Sequence, residues 1–268
     1  MRLLDEIRQL VTALVAQEGE RRSGGGWWRE PLLAASKVDD RFLELRKMAA
    51  PDHLMPWDLL PTARSVIVYF LPFRVSLAKE NRPGDLPCRD WGLAYVDTNR
   101  LIGDLAAAIG TFLESHGFSC ALTPPTHNFD PVRLLSLWSH KHLGFLCGLG
   151  RFGHNAQLIT QAGCAGRLGS LVTDADLGDN LQSHGQEACL HKAGKRCLKC
   201  VSRCPVGALG PMGLDRERCW ERLKENKRAA PSLSGLPDTT HVCGKCVVIL
   251  PCSFHDPVGR TRTHSPLH

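Results

Sequence analysis

The chain has 268 residues, 43% hydrophobic and 22% charged, the balance of a soluble folded protein, which excludes disorder as its default state. A net charge of +6, spread along the sequence, permits an RNA or anionic small-molecule partner without arguing for one. Twelve cysteines are the unusual feature, and eight of them follow position 188.

Near the N-terminus Leu3, Ile7, Leu10 and Leu14 recur at helical spacing. Asp5, Glu6 and Arg8 interrupt them, so the segment reads as an amphipathic surface helix rather than a signal peptide. The Gly-Gly-Gly-Trp-Trp stretch at 24–28 ends that helix, and a second helical run is predicted over 39–49. Residues 64–73 are β-branched and aromatic, bounded by Pro61 and Pro72, and predict a buried strand. Over 92–116, Leu101, Leu105, Ile109, Phe112 and Leu113 share one helical face, with His116-Gly117 as the stop. A short strand is predicted over 119–123. Asp130 before Pro131 reads as a helix N-cap with proline at the first helical position, opening a helix over 131–147 that Gly148-Leu149-Gly150 closes. Short apolar runs follow at 156–160 and 168–173.

This alternation implies an α/β (α+β) core over residues 1–184. Residues 185–258 turn rich in Cys, Gly, Lys and Pro, a composition that buries little core and needs bound metal for part of its folding free energy. Residues 259–268 read as a loose tail. No apolar run reaches the roughly 18–20 residues that span a bilayer. A cytoplasmic protein without a membrane partner is therefore expected, and there dense cysteines point to metal before disulfides.

Cys197-x2-Cys200-x3-Cys204-Pro205 is the tail of the bacterial-ferredoxin motif, with Gly194 where the first cysteine belongs. Cys189, eight residues before Cys197, is the nearest replacement. A second copy reads Cys219, then Cys243-Gly244-Lys245-Cys246, then Cys252. In two-cluster ferredoxins the last cysteine of each copy ligates the other cluster. The eight cysteines then divide into Cys189, Cys197, Cys200 and Cys252 for one [4Fe-4S] cluster, and Cys204, Cys219, Cys243 and Cys246 for the other. One cluster alone, or a zinc ribbon of Cys197, Cys200, Cys243 and Cys246, are the rival readings; the ribbon leaves four cysteines and Cys-Pro unexplained. Lys192, Lys195, Arg196, Lys199, Arg203 and Lys245 offset thiolate charge, and Gly194 and Gly244 allow close backbone approach to sulfide. Cys88, Cys120, Cys147 and Cys164 lack ligand spacing and read as small buried hydrophobes.

Gly148-Leu-Gly150-Arg-Phe-Gly153 matches G-x-G-x-x-G, but it ends a predicted helix instead of following a strand, the wrong order for a dinucleotide site. A second glycine loop, Gly163-Cys-Ala-Gly166-Arg-Leu-Gly169-Ser170, follows. Such loops either pack as tight turns or offer backbone N–H groups to a phosphate or large ligand. His140 and His142, two apart on a helix, point to different sides and do not grip one metal.

Together "LPTARSVIVYFLPF" (60–73), "GLGRFGHNAQLI" (148–159), "GRLGSLVT" (166–173) and the split cysteine module resemble epoxyqueuosine reductase and its relatives, which include the reductive dehalogenases. The resemblance covers roughly residues 55–258. It implies a nitroreductase-like core holding a corrinoid (cobalamin), followed by a two-cluster ferredoxin-like module. A donor of the reduced ferredoxin or flavodoxin type would feed the clusters, and reduced cobalt would remove oxygen or halogen from a small-molecule or tRNA substrate. Gly148, Gly150, Gly153, Asn155, Gly166, Gly169 and Ser170 become candidate cofactor contacts, and Asp130 and His154 candidate proton donors. The chain departs from the family pattern in the compressed Asp130-Pro131-Val132 segment and the displaced Cys189, which marks a short, divergent relative. Two other functions fit the same residues: a non-catalytic electron carrier, and a flavin-dependent reductase on the same core.

Overall fold

The structure is a computed structural model and describes residues 2–22, 25–126, 129–179 and 187–259. In chain order its elements are α1 (Leu3–Glu20), β1 (Leu32–Lys37), α2 (Leu45–Met48), α3 (Pro56–Leu59), β2 (Ser65–Pro72), α4 (Val75–Glu80), α5 (Arg89–Ser115), β3 (Cys120–Leu122), β4 (Phe129–Asp130), β5 (Leu135–Ser136), α6 (His140–Leu146), β6 (Gly150–Phe152), β7 (Leu158–Thr160), β8 (Gly166–Thr173), α7 (Lys199–Ser202), β9 (Leu209–Gly210), β10 (Gly213–Leu214) and α8 (Arg216–Ala229). The architecture is mixed α/β with small antiparallel sheets. Two compact units emerge: Met1–Leu71 with Asn99–Leu149 and Gly166–His184, and Pro72–Thr98 with Gly150–Ala165 and Gly185–His268.

The first unit is built on a sheet of order β1-β2-β8-β3. All eight residues of β2 are buried, so its Val, Ile, Tyr and Phe run on without polar alternation, as a strand covered on both faces requires. β1 pairs with it from Leu32↔Phe70 to Lys37↔Ser65, and β3 pairs with β8 from Cys120↔Thr173 to Leu122↔Leu171. Helix α1 buries Leu4, Ile7, Val11 and Val15, one stripe at intervals of three and four residues. Leu101, Ile102, Leu105, Ile109 and Leu113 of α5 are buried too. The Tyr69 hydroxyl donates to the Ile102 carbonyl at 2.7 Å, which satisfies the one polar atom that this central tyrosine carries inward. β8 needs glycine at two places: a Cβ on Gly166 would lie 2.4 Å from the Leu71 carbonyl oxygen, and one on Gly169 2.6 Å from the Tyr69 ring.

One predicted helix is corrected. Residues 131–147 are not helical throughout: β4 and β5 form a hairpin, Phe129↔Ser136 and Asp130↔Leu135, and α6 begins only at His140. Asp130 does not cap a helix. Its carboxylate accepts from the backbone N–H groups of Val132 and Arg133, at 2.8 and 3.0 Å, and closes a turn instead. Short acidic side chains offer the backbone this alternative to a helix, and Leu134, at φ 54°, completes the reversal. The run over 39–49 is helical in two pieces, a 3-10 turn at Asp40–Glu44 capped by Asp39, then α2.

The second unit has little regular structure. It contains the β6–β7 hairpin (Gly150↔Thr160 to Phe152↔Leu158), the β9–β10 hairpin, α4, residues 89–98 of α5, α7 and α8. Buried polar side chains tie its loops where a sheet ladder would otherwise do so. Asn81 Nδ2 donates to the Cys243 carbonyl at 2.9 Å, and Asn226 Nδ2 to the Val242 carbonyl at 2.8 Å. Among the described residues no helix is long and apolar enough to cross a membrane.

Candidate functional site

The cysteine loops of the second unit each have a local cause. Seven residues separate Cys189 from Cys197; Cys200 lies in α7, and Cys204 follows that helix directly before Pro205. Cys219 sits in α8, and Cys243 and Cys246 flank Gly244-Lys245. Electrostatics reports which sulfurs are neighbours. The Cys200 thiol is pushed up to about 11, by burial first and then by the charges of Cys252, Cys189 and Cys197. Cys246 is pushed up by burial and by Cys243, Cys219, Cys204 and Cys200. The charges acting on Cys200 come from the other three cysteines of 189/197/200/252, and those acting on Cys246 come from Cys204, Cys219 and Cys243 and also from Cys200. A small apolar pocket is lined by Cys189, Cys197, Cys200 and Cys252, with His154 and Asn155. Cys200, Leu209 and Leu250 form an apolar cluster against which Cys204, Cys246 and Cys252 pack, so members of both groups share one dry patch. Among the described residues no three His, Cys, Asp or Glu side chains converge so as to hold a single metal ion.

Lys245 is buried, and its ammonium donates to the carbonyls of Asn81 and Pro83 at 2.6 and 2.9 Å. Burial lowers its pKa while the neighbouring Cys243 raises it. It places a fixed cation inside the cysteine loops. Gly244 has φ 77°, and a Cβ there would lie 2.4 Å from the Trp91 ring. Turn conformation and indole packing account for this glycine. Gly194 shares the left-handed conformation, at φ 77°, with nothing within 4 Å of its absent Cβ.

Cys164 is a buried member of an apolar cluster, as expected, but its sulfur has partners that the sequence did not reveal. It is buried, and its thiol donates toward Cys252 Sγ at 3.9 Å, while Asn155 Nδ2 donates to Cys164 Sγ at 3.9 Å and to the Cys246 carbonyl at 2.9 Å. The contact with Cys252 pushes the Cys164 thiol up and draws Cys252 down. These partners lie 88 residues apart, so no spacing rule could have found them. Cys147 is fully buried in the first unit, and burial raises its pKa. Cys88 and Cys120 are half-buried.

The candidate proton donors differ in setting. His154 Nε2 donates to the Gly210 carbonyl at 2.8 Å, and its ring meets His191 edge-on at 4.9 Å. Asp130 is held at about 2 by the Arg133 backbone N–H, the Arg133 guanidinium at 2.8 Å and the Val132 N–H. Arg133 also binds Asp52 at 2.7 Å. As placed, Asp130 is an ionised acceptor with no proton to give at neutral pH.

The glycine loops serve packing. Gly148, at φ 71°, follows the end of α6, and no helix opens after Gly153. A Cβ on Gly150 would lie 2.4 Å from the Ile159 carbonyl oxygen, and one on Gly153 2.6 Å from Asn155 Oδ1. Ser170 is buried; it accepts from Trp138 Nε1 at 2.9 Å and lies 2.8 Å from His140 Nδ1. His140 Nε2 is 3.0 Å from the Pro124 carbonyl, which only accepts, so Nε2 carries the proton and Ser170 donates to Nδ1. Burial, helped by the charge of Arg167, lowers the His140 pKa to about 4. His142 pairs separately with Ser139 at 2.8 Å, so His140 and His142 do not share a partner.

The sequence matches no protein-family model and no curated protein. Among solved structures, an epoxyqueuosine reductase with an epoxyqueuosine-modified tRNA-Tyr stem loop aligns over 98% of this chain at 18% identity and a TM-score of 0.57. The chain has the fold of the epoxyqueuosine reductases. The Bacillus subtilis epoxyqueuosine reductase, described with its catalytic aspartate loop swung out of the active site, aligns over 92% of this chain at 18% identity with a TM-score of 0.54. A catabolic reductive dehalogenase in complex with 3-bromo-4-hydroxybenzoic acid aligns over 97% at 14% identity with a TM-score of 0.55. This chain spans 66% of the length of either epoxyqueuosine reductase and 38% of the dehalogenase.

Proposed function

We propose that the protein is an iron–sulfur reductase in which residues 185–258, one part of the second unit, form a ferredoxin-like module carrying two [4Fe-4S] clusters. The observation that carries the reading is that Cys189, Cys197, Cys200 and Cys252, far apart in sequence, line one pocket, while Cys204 and Cys246 pack against the apolar cluster of Cys200 beside it. A cubane takes one thiolate per iron, so its ligands stand farther apart than those of a single ion, which suits these groups better than a zinc ribbon. Cys189, Cys197, Cys200 and Cys252 hold the first cluster, and Cys204, Cys219, Cys243 and Cys246 the second. When bound, the clusters supply one-electron storage and relay. The chain's own part is electrostatic and steric: Lys245 offsets thiolate charge, Leu209 and Leu250 keep water from the patch both groups share, and Asn155 fixes the Cys246 loop.

The nitroreductase-like core, residues 1–184, is assigned to the reductive step. A corrinoid there is supported by the fold likeness alone. Gly166, Gly169 and Ser170 do not fit a cradle for it, since protein atoms fill the space beside both glycines and the Ser170 hydroxyl is already spent. We derive no step through that group. This filling favours the second reading, a non-catalytic electron carrier. An anionic substrate such as tRNA agrees with the charge of +6 and with the stem loop bound by one structural neighbour. Asp130 serves as proton donor only after its hairpin releases Arg133, and an aspartate loop swung out of the active site is the state described for the Bacillus subtilis protein. His154, beside the cluster cavity, is the alternative.

Anaerobic purification tests the reading. About eight irons per chain with a broad visible absorption are expected; two or fewer irons, or zinc in their place, overturn it. Cobalamin and flavin titrations then divide enzyme from carrier, because a carrier perturbs neither optical spectrum.

A further inference from the structure

Beside the first cysteine group the second unit has an open groove lined by His191, Lys195, Arg196, Cys197, Leu198 and Lys199, together with Gly194 and Ser202. Lys195, Arg196 and Lys199 are exposed, as is the adjacent Lys192, and no carboxylate is among the described lining residues. Cys197 and Lys199 line both this groove and the pocket of the first cysteine group, so the two adjoin there.

We propose that this groove is the docking surface for a small acidic one-electron carrier protein, an inference that rests on the cluster reading above. One observation and two physical arguments support it. The cations line the same groove as Cys197, a proposed ligand. Such a field raises encounter rates with an acidic partner by about 10–10³-fold at low salt. Electron transfer falls off steeply with distance, so a carrier seated here is separated from the first cluster by little more than Cys197. The step is balanced: the carrier loses one electron, the cluster gains it, and no bond or proton moves. An RNA would also answer to the charge, but His191 is the only ring among the lining residues on which a base could stack.

The test is stopped-flow reduction of the iron-loaded chain by a photoreduced acidic flavodoxin as probe. Lys195→Glu/Arg196→Glu/Lys199→Glu is compared with the wild type and with a control reversal, Lys224→Glu/Arg228→Glu, on the outer part of α8. The groove variant should slow the second-order rate about tenfold or more at low ionic strength, the control should change it little, and high salt should erase the difference. Dithionite should reduce all three alike. Equal rates for groove variant and wild type overturn the inference. So does a groove variant that keeps its carrier rate but loses affinity for a tRNA stem loop, which would mark the surface as RNA-binding. A wild-type chain that dithionite does not bleach overturns the cluster reading itself and is recognised by its lack of iron.

Discussion

Cys164→Ala removes one thiol from beside Cys252, a proposed cluster ligand, and leaves the eight proposed ligand cysteines in place. The Cys164 thiol donates toward Cys252 Sγ at 3.9 Å, and both sulfurs stand in the same apolar cluster as Ile159 and Cys189. A hydrogen bond to a charged acceptor is worth about 1.5–3 kcal/mol, but S–H is a weak donor and 3.9 Å is a long contact, so roughly 0.5–1 kcal/mol is the reasonable share. The bond strengthens when the cluster gains an electron and charge grows on the thiolate, so its loss disfavours reduction. For a one-electron couple 1.4 kcal/mol corresponds to about 59 mV, which places the shift at roughly 20–40 mV downward. Cys164→Ser keeps a donor and should move the potential less. The assay is an EPR-monitored redox titration with iron content measured in parallel. An unmoved or raised potential in the alanine variant at full iron content refutes the reasoning. Loss of about half the iron would instead make Cys164 a ligand.

Cys189→Ser should lower iron from about eight to about four atoms per chain while Cys120→Ser leaves it unchanged; unchanged iron in the first variant removes Cys189 from the ligand set. Lys245→Met strands the buried carbonyls of Asn81 and Pro83, and should cost about 1–3 kcal/mol in thermal or urea unfolding of the iron-loaded chain. A stability within a few tenths of the wild type would show that the ammonium is not needed there. His140 titrates at about 4 in the fold against about 6.5 unfolded, so the unfolded state binds more protons between those values. Its contribution, up to about 3 kcal/mol, is complete above pH 6.5 and falls away as the pH drops toward 4. His140→Gln should flatten that part of the stability–pH curve, and parallel curves would dismiss the role.

Legibility differed by kind of signal. Helices α1 and α5 were readable because apolar residues recur at helical spacing over many residues, and β2 because its β-branched and aromatic run is unbroken. The buried stripe of α1 is Leu4, Ile7, Val11 and Val15, so of the residues picked from sequence only Ile7 belongs to it. The hairpin at 129–136 was not, because a carboxylate before a proline caps a turn as readily as a helix, and what decided it was Arg133 reaching both Asp130 and Asp52. The two proposed cysteine groups come from spacing, since ferredoxin loops are local. Cys164 could not, because its partners Asn155 and Cys252 come to it through the β6–β7 hairpin and a loop 88 residues on. Lys245 was readable as a counter-charge, but not its burial, which depends on carbonyls from residues 81 and 83. The glycines at 150, 166 and 169 were seen, with packing and a ligand cradle both left open. Backbone and aromatic packing demands each of them, a demand that sequence alone does not separate from a ligand cradle.

The displaced head of the first cysteine motif has a structural answer. Residues 189–195 form a single helix-like turn: the Ala193 N–H donates to the Cys189 carbonyl at 2.9 Å, and the Lys195 N–H reaches back to the Leu190 carbonyl at 2.8 Å. That second bond, five residues back across a left-handed glycine, is how a helix end is closed, and Gly194 at φ 77° occupies the closing position. The inserted residues therefore wind up on themselves instead of extending the loop, and Cys189 stays close enough to act electrostatically on Cys200. Gly194 lets the longer loop turn back so that Cys189 lines the same pocket as Cys197 and Cys200, as its proposed role as first ligand requires. The same turn carries His191 and Lys195 to the rim of the basic groove, so the insertion that displaced the ligand also built much of the surface assigned to the electron donor.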